Sequence, residues 1–524
     1  MLPGIPATGL NGVTVDTDAV VRQMVRRASS PGFDTWWRRA ESVGFCAHPI
    51  QLTGTDRYGR QQIVWTRCNN RRAQVCPSCS DLYARDTWQL VHAGAAGGHH
   101  DVPATIATHP QVFATLTAPG FGAVHHHTGT TCRDAHRLGG YRRCPHGKPL
   151  WCSRIHHHDD AAVGQPLCLD CYDYPAHVLF TWHLPELWRR FTIALRRIVR
   201  RELKTLGVDP DSVRVSFVKV VEMQARAVPH IHALIRLDPT ESTDDATTSA
   251  PCDDGRAAGG GAEPRHATGP SWEAPIAAAT LAVLIKQTAG QISITVPSPD
   301  HPRDADRLTD MAADIAATTV VRFGHQADTQ PLSVPTPAEQ HETANSPERL
   351  SPRRVARYLA KYVTKSLQDF GIAARRLSSE SVASLDVSEH VRSILSTIAR
   401  LADTNTHVDA GNTVAVAGIG RWLHTLGYRG HITTKSRRYS VTMTALRATR
   451  AAWTRQRNTK PEAAQHHQQQ RATEDIGWEF DRAGHATTGD RVLAVSASLR
   501  HIDARLAGLE QRHLAAAGWE VPDG

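Results

Sequence analysis

The sequence predicts an α+β protein, and three observations carry that prediction. Short apolar runs with a two-residue period, Phe113–Ala118, Val213–Glu222 and Val228–Ile235, read as strands, because successive strand side chains point to opposite faces. Stretches with a 3.6-residue period, Glu186–Leu206 and Val355–Leu367, read as helices that each bury one stripe. Nine of the ten cysteines fall between Cys46 and Cys171 and include two CxxC pairs, the usual sign of small metal-stabilised elements.

In chain order, residues 1–35 form an N-terminal segment and 36–104 a zinc-ribbon-like module. Its knuckle is Cys76-Pro-Ser-Cys79, with Cys68 and Cys46 completing a four-thiolate zinc site. Residues 105–238 are the first part of the core, interrupted by a zinc-binding insertion at 125–175. There a second knuckle, Cys168-Leu-Asp-Cys171, follows Cys152 and Cys144, with Cys132, His146 and His156 to His158 as rival ligands. Residues 239–275, rich in Gly, Asp, Thr, Ala and Pro, are expected as a flexible insertion holding a non-ligating Cys252. A helical segment (276–328), a Pro-bearing linker (329–352), a tyrosine-bearing helix with the C-terminal part of the core (353–455) and a polar, helical or partly disordered tail (456–524) complete the chain.

The run Val228-Pro229-His230-Ile231-His232-Ala233-Leu234-Ile235 sets two imidazoles on one face of a strand and Ile231, Ala233 and Ile235 on the other. Two such imidazoles make half a metal site. Glu222 closes the preceding run, and a turn over Met223–Val228 brings its carboxylate beside them. An arbitrary HxH is more often a pair of ordinary half-buried histidines; the downstream sequence decides otherwise. In Val355–Ser366, Tyr358, Lys361, Tyr362 and Lys365 share one helical stripe while Val355, Leu359, Val363 and Leu367 form the apolar one. A phenol becomes a nucleophile when its developing charge is stabilised, and an ammonium such as Lys361 can do that.

A Thr-Leu-Thr strand at Thr115–Thr117, then Glu…His-x-His, then Tyr-x-x-Lys-Tyr, in that order, closely resemble the HUH endonuclease superfamily. With Gly430-His-Ile-Thr-Thr-Lys-Ser-Arg-Arg-Tyr-Ser440, the pattern over roughly residues 36 to 455 is similar to rolling-circle replication initiators of actinobacterial plasmids and integrative elements. The resemblance implies an antiparallel sheet flanked by helices. It implies that His230, His232 and Glu222 hold Mg²⁺ or Mn²⁺, that Tyr358 attacks the scissile phosphate, and that Lys361 assists. Tyr362 is either a second nucleophile or a packing residue. The tyrosine motif follows the histidine motif, as in replication initiators and related transposases rather than conjugative relaxases.

The formal net charge of +9 agrees with a DNA partner, although arginine abundance also follows from a GC-rich genome. Local clusters say more: Arg354 and Arg357 with Lys365, and Lys435 with Arg437 and Arg438, are expected to contact the DNA backbone. The zinc modules would hold Arg67, Arg71 and Arg72 against DNA or serve architecture alone. The N-terminal residues have no sustained apolar run and no segment approaches a membrane span, so cytoplasmic thiols are expected rather than disulfides. No Gly-x-x-x-x-Gly-Lys-Ser/Thr segment occurs, so a host helicase would unwind the origin for a host polymerase. Two other readings use the same residues: a zinc-bearing HUH transposase, and a non-catalytic zinc-dependent DNA-binding regulator with structural histidines.

Overall fold

The computed structural model describes residues 16–56, 58–133, 143–240, 272–297, 318–332, 350–363, 370, 372, 377–404, 416–458 and 476–516. Helices α1 (Thr17–Ala28) and α2 (Phe33–Ser42) precede the hairpin β1 (Ile50–Thr55) and β2 (Gln61–Thr66) and the long α3 (Pro77–Ala96). Strand β3 (Gln111–Leu116) is followed by the short ladder β4 (Cys132–Arg133) and β5 (Trp151–Cys152), then α4 (Tyr174–Thr205) and the hairpin of β6 (Val213–Met223) and β7 (Pro229–Pro239). Next come α5 (Ala278–Gln291), β8 (Ser293–Pro297), β9 (Thr318–Arg322), β10 (Ala327–Pro331), α6 (Pro352–Val363) and α7 (Glu389–Thr404). Strand β11 (Thr433–Lys435), α8 (Met443–Asn458), β12 (Glu479–Ala483) and α9 (Thr488–Ala516) close the described chain.

The centre is a five-stranded sheet in the order β10-β3-β7-β6-β11, antiparallel at every pairing. The three strands read from sequence are its middle, so the mixed α/β reading with an antiparallel sheet is borne out. Both faces are covered, which is why β7 is buried in both phases of its alternation. Ile231, Ala233 and Ile235 face the larger core with Phe191 and Leu195 of α4 and Leu281 and Ile285 of α5. Leu234, Val218 and Val220 face a second core built from Leu90 and Val91 of α3 and Val355, Leu359 and Val363 of α6. The apolar stripe expected on the tyrosine helix is therefore buried against the sheet; Leu367, its fourth member, lies outside the described residues.

Several elements differ from expectation for definable reasons. Helix α4 starts at Tyr174 rather than Glu186, capped by Asp173, whose carboxylate accepts the Ala176 N–H at 2.9 Å. Its first turns bury His177, Val178, Phe180, Thr181 and Trp182 around the axis, and a helix apolar all round shows no stripe. The segment expected to be helical at 276–328 is, among its described residues, helical as α5. It also contains β8, β9 and the start of β10, an edge strand that runs past the expected linker boundary. Ala-Asp-Thr-Gln-Pro has no apolar alternation, and a Pro is tolerated because this strand is at the edge. Most of the expected flexible insertion, with Cys252, lies outside the described residues.

The tail is the largest departure. Strand β12, charged and exposed, pairs antiparallel with β1, and α9 packs on α1. Arg27 donates Nε and Nη2 to the two oxygens of the buried Asp490 at 2.7 and 2.8 Å, a bidentate pair that joins the two ends of the chain. Val495 of α9 enters the same small core as Val43, Cys76 and Cys79. The N-terminal cysteine module is thus completed by residues from late in the chain. No helix among the described residues is long and apolar enough to cross a membrane.

Candidate active site and metal clusters

The hairpin of β6 and β7 sets Glu222 directly opposite His230 in register, with His232 opposite Val220. Glu222 Oε2 lies 2.9 Å from His232 Nε2. The other nitrogen of that ring, Nδ1, lies 3.1 Å from Thr115 Oγ1 on β3. If Nδ1 carries the proton to the threonine oxygen, the Nε2 lone pair faces a carboxylate oxygen, an arrangement that needs a proton or cation between them. His230 Nε2 is buried without a hydrogen-bond partner among the described residues. Burial, aided by the nearby Arg226 guanidinium and the neighbouring His232, lowers His230 to about 3, so its ring is neutral and able to ligate. Two imidazoles and a carboxylate on one sheet face are the donor types for a divalent cation, but the His230 and His232 ring centroids are 6.4 Å apart and the three do not converge as the cysteine groups do.

Helix α6 lies along α3 and over this face. Its register places Tyr358 edge-on to His232, ring centroids 5.1 Å apart, and Tyr362 stacked on the same imidazole at 5.6 Å. The two tyrosine rings are 4.5 Å apart. Phe113 of β3, which sequence reasoning passed over, supports both Tyr358 at 5.7 Å and His232 at 6.0 Å. Tyr358 is 36 % exposed, whereas Tyr362 packs into the second core. Burial, a hydrogen bond with Tyr362 and the nearby Glu222 charge raise the Tyr358 phenol well above its ordinary range. Lys361 is exposed on the helix, its Nζ 5.9 Å from the Tyr362 ring.

Around this centre the cations separate into two groups. Arg354 and Arg357 are exposed on α6, and Arg437 and Arg438 are exposed beyond β11. Lys365 lies outside the described residues. Lys435 is committed within the chain: its ammonium donates to the carbonyls of Ser440 at 2.7 Å and Arg437 at 3.2 Å, clipping its own loop. Arg71 likewise donates to Val363 O at the end of α6 at 3.2 Å, and Arg67 to Ser78 Oγ at 2.9 Å. Lys435, Arg67 and Arg71 thus each have an internal partner.

The Gly430–Ser440 stretch is mainly architectural. Tyr439 is fully buried, and Arg236 donates to its carbonyl at 3.2 Å. Arg236 also holds Asp238 at 2.6 and 3.0 Å, while Ser216 donates to that carboxylate at 2.6 Å and His109 Nδ1 lies 2.9 Å from it. These partners hold Asp238 below the ordinary carboxylate range against the cost of burial.

The first cysteine set converges as expected: Cys46, Cys68, Cys76 and Cys79 bring their sulfurs together, with Sγ–Sγ distances of 3.6 to 3.7 Å. Four sulfurs about 2.3 Å from a tetrahedral zinc stand about 3.8 Å apart. Backbone N–H groups of Ala47 and Cys68 donate to Cys76 and Cys46 sulfurs at 3.3 and 3.4 Å. Hydrogen bonds among the four sulfurs push the Cys46 thiol far up and the Cys79 thiol far down. Cys76 caps α3, so this cluster anchors the helix against which α6 lies.

The second set is only partly as expected. Cys144, Cys168 and Cys171 converge, but their fourth partner is His146, not Cys152, with His146 Nδ1 3.2 Å from Cys171 Sγ. A turn closed by Cys144 N–H to Lys148 O at 2.8 Å and Gly147 at positive φ carries His146 back to its own Cys144, two residues away in sequence. Cys152 stands instead with His125 and His156.

Comparison with known proteins follows this geometry. The family described as "Replication initiator protein, pSAM2" (RepSA) matches residues 32–499. A replication initiator protein of Streptomyces ambofaciens is 32% identical over 502 residues, covering 90% of this chain and 91% of the relative. No solved structure matches.

Proposed function

The chain belongs to the RepSA family of replication initiators, and from that premise we propose that it starts replication by cutting one DNA strand at the origin and later rejoining it. The observation that carries this reading is the edge-on placement of Tyr358 against His232, beside Glu222 and at the mouth of a buried imidazole pair. His230, His232 and Glu222 would hold Mg²⁺ or Mn²⁺, which supplies Lewis acidity to the scissile phosphate. Tyr358 Oη forms a bond to phosphorus as the bond to the 3′-oxygen breaks, which leaves a 5′-phosphotyrosine. The partly exposed phenol releases its proton to solvent, and the departing 3′-oxygen takes one up to become the primer hydroxyl. The covalent bond conserves the energy of the cut strand, so rejoining by the reverse attack needs no nucleotide cofactor.

The chain's own groups define the rest. Thr115 and Glu222 fix the His232 ring between them, while Phe113 limits the swing of Tyr358. Lys361 stands one turn from the nucleophile, where an ammonium neutralises a phosphate oxygen. Arg354, Arg357, Arg437 and Arg438 supply exposed positive charge for the DNA backbone. The four-thiolate cluster and the Cys144–His146–Cys168–Cys171 cluster would take structural zinc, the first acting through α3 to hold the tyrosine helix in place. Of the readings the sequence allows, the replication initiator is the one its relatives support. Incubating the purified chain with a labelled single-stranded origin oligonucleotide and Mn²⁺ tests it. A covalent protein–DNA adduct with a free 3′-hydroxyl is expected, and its absence with intact protein over all origin-region strands would overturn the proposal.

A further inference from the structure

The cysteine displaced from the second cluster belongs to a separate group. His125 Nδ1 lies 3.1 Å from His156 Nε2, and Cys152 Sγ lies 3.4 Å from the same His156 nitrogen. All three atoms lie within 4.8 Å of one another. Facing imidazole nitrogens and a thiol at such distances repel through their lone pairs unless a proton or cation stands between them. His156 is buried, and its far nitrogen Nδ1 is 2.7 Å from Asp160 Oδ2. A carboxylate behind a ligating histidine fixes its tautomer and strengthens it as a donor. Cys132, fully buried, stands opposite Cys152 in the β4–β5 ladder, and the His126 N–H donates to its sulfur at 3.4 Å.

We propose that His125, Cys152 and His156 bind a third zinc ion, with Cys132 turning in from across the ladder as the fourth ligand, at a site separate from the two CxxC clusters and from the nicking centre. Two thiolates and two imidazoles are a tetrahedral zinc set, and an N–H to a thiolate sulfur is the usual support for one. Eight of the nine described cysteines stand in these three groups, and the ninth, Cys132, faces the third across the ladder. The small ladder needs such a clasp: β4 and β5 are two residues each, far too short to hold as a sheet alone.

The site also has a mechanical consequence. The His125 backbone pairs with the loop after His156, its N–H donating to Gln165 O and its carbonyl accepting from Gly164 N–H, both at 2.9 Å. Gly164, at positive φ, is seated so tightly that a Cβ there would stand 2.3 Å from the Ala225 carbonyl carbon. Ala225 is in the β6–β7 turn that joins Glu222 to His230. The third site therefore clasps the loop that buttresses the histidine hairpin.

Native mass spectrometry of the full chain in a His230→Ala/His232→Ala background, where the hairpin cannot take zinc, counts the ions directly. Three zinc ions are expected, falling to two in Cys152→Ala, to two in Cys171→Ala and to one in the double variant. Two ions in the parent, or no loss on Cys152→Ala, overturns the proposal. If Cys152→Ala does not fold, alkylation footprinting of the parent decides. Cys132 and Cys152 should react only after chelation, and ready reaction in the zinc-loaded chain overturns the site.

Discussion

Glu222 and His230 stand opposite each other across the β6–β7 ladder, yet the Glu222 carboxylate reaches past its partner to His232 and leaves His230 Nε2 bare. The geometry is a three-sided donor set with one side already bent inward. Replacing Glu222 with Ala should therefore spare duplex binding while raising the Mn²⁺ concentration for half-maximal nicking by about 10–100-fold. A metal titration of initial nicking rates reads this. An unchanged titration would remove Glu222 from the ligand set and leave the histidines acting alone.

This part of the protein is legible because its signals are local. His230 and His232 declare their shared face through the two-residue period of Ile231, Ala233 and Ile235, and Tyr358 declares its stripe through Lys361 and Tyr362. Phe113 was missed as a site residue because an aromatic in an apolar strand has no distinguishing pattern. His146 and Cys152 were misassigned for another reason. Thirty histidines offer many ligands, and which one reaches a knuckle depends on turn geometry at Gly147 rather than spacing. The pairing of β12 with β1 was invisible, since Glu-Phe-Asp-Arg-Ala has no alternation and its partner lies at the other end of the chain.

Lys219 gives a prediction about pH. It points from β6 into the larger core, its Nζ 3.4 Å from Tyr428 Oη and 5.8 Å from the Trp188 ring. Burial lowers it from 10.5 to about 8. The unfolded chain thus holds more protons between pH 8 and 10.5, so this group makes stability rise with pH across that window, and its penalty is fully present below pH 8. That penalty is on the order of 3 kcal/mol. Lys219→Met should raise the denaturation midpoint at pH 7 and gain much less at pH 10, compared in paired urea melts. An equal gain at both values would show that the ammonium is not the cause.

Gly94 marks a close approach. A Cβ there would lie 2.1 Å from the ring of the buried Tyr439, whose hydroxyl donates to Val91 O at 3.3 Å one turn back on α3. Gly94→Ala would normally favour a helix, but here overpacking should dominate and cost about 1–3 kcal/mol. Combining it with Tyr439→Ala should give a double variant less destabilised than the two single costs added, because the clash is gone. Simple additivity in denaturant melts would show that α3 yields without strain.

The final prediction concerns which tyrosine is labelled. Tyr358 and Tyr362 both touch His232, so proximity to the imidazole does not separate them. Their surroundings do. Tyr362 lies flat on His232 and packs, partly buried, against the core beneath α6. Tyr358 stands edge-on and is partly open to solvent, with Arg354 and Arg357 exposed on the same helix to receive a strand. Burial, its hydrogen bond with Tyr362 and the Glu222 charge raise its phenol above the ordinary range. Tyr358→Phe should reduce first-strand cleavage at least about 10³-fold, since no second oxygen is positioned to replace it, while binding and the melting midpoint stay near those of the parent. Tyr362→Phe should retain the first cleavage and lose at most a later transfer. Mass spectrometry of the trapped adduct reads the site directly, and a nucleotide on Tyr362 alone would reverse the assignment.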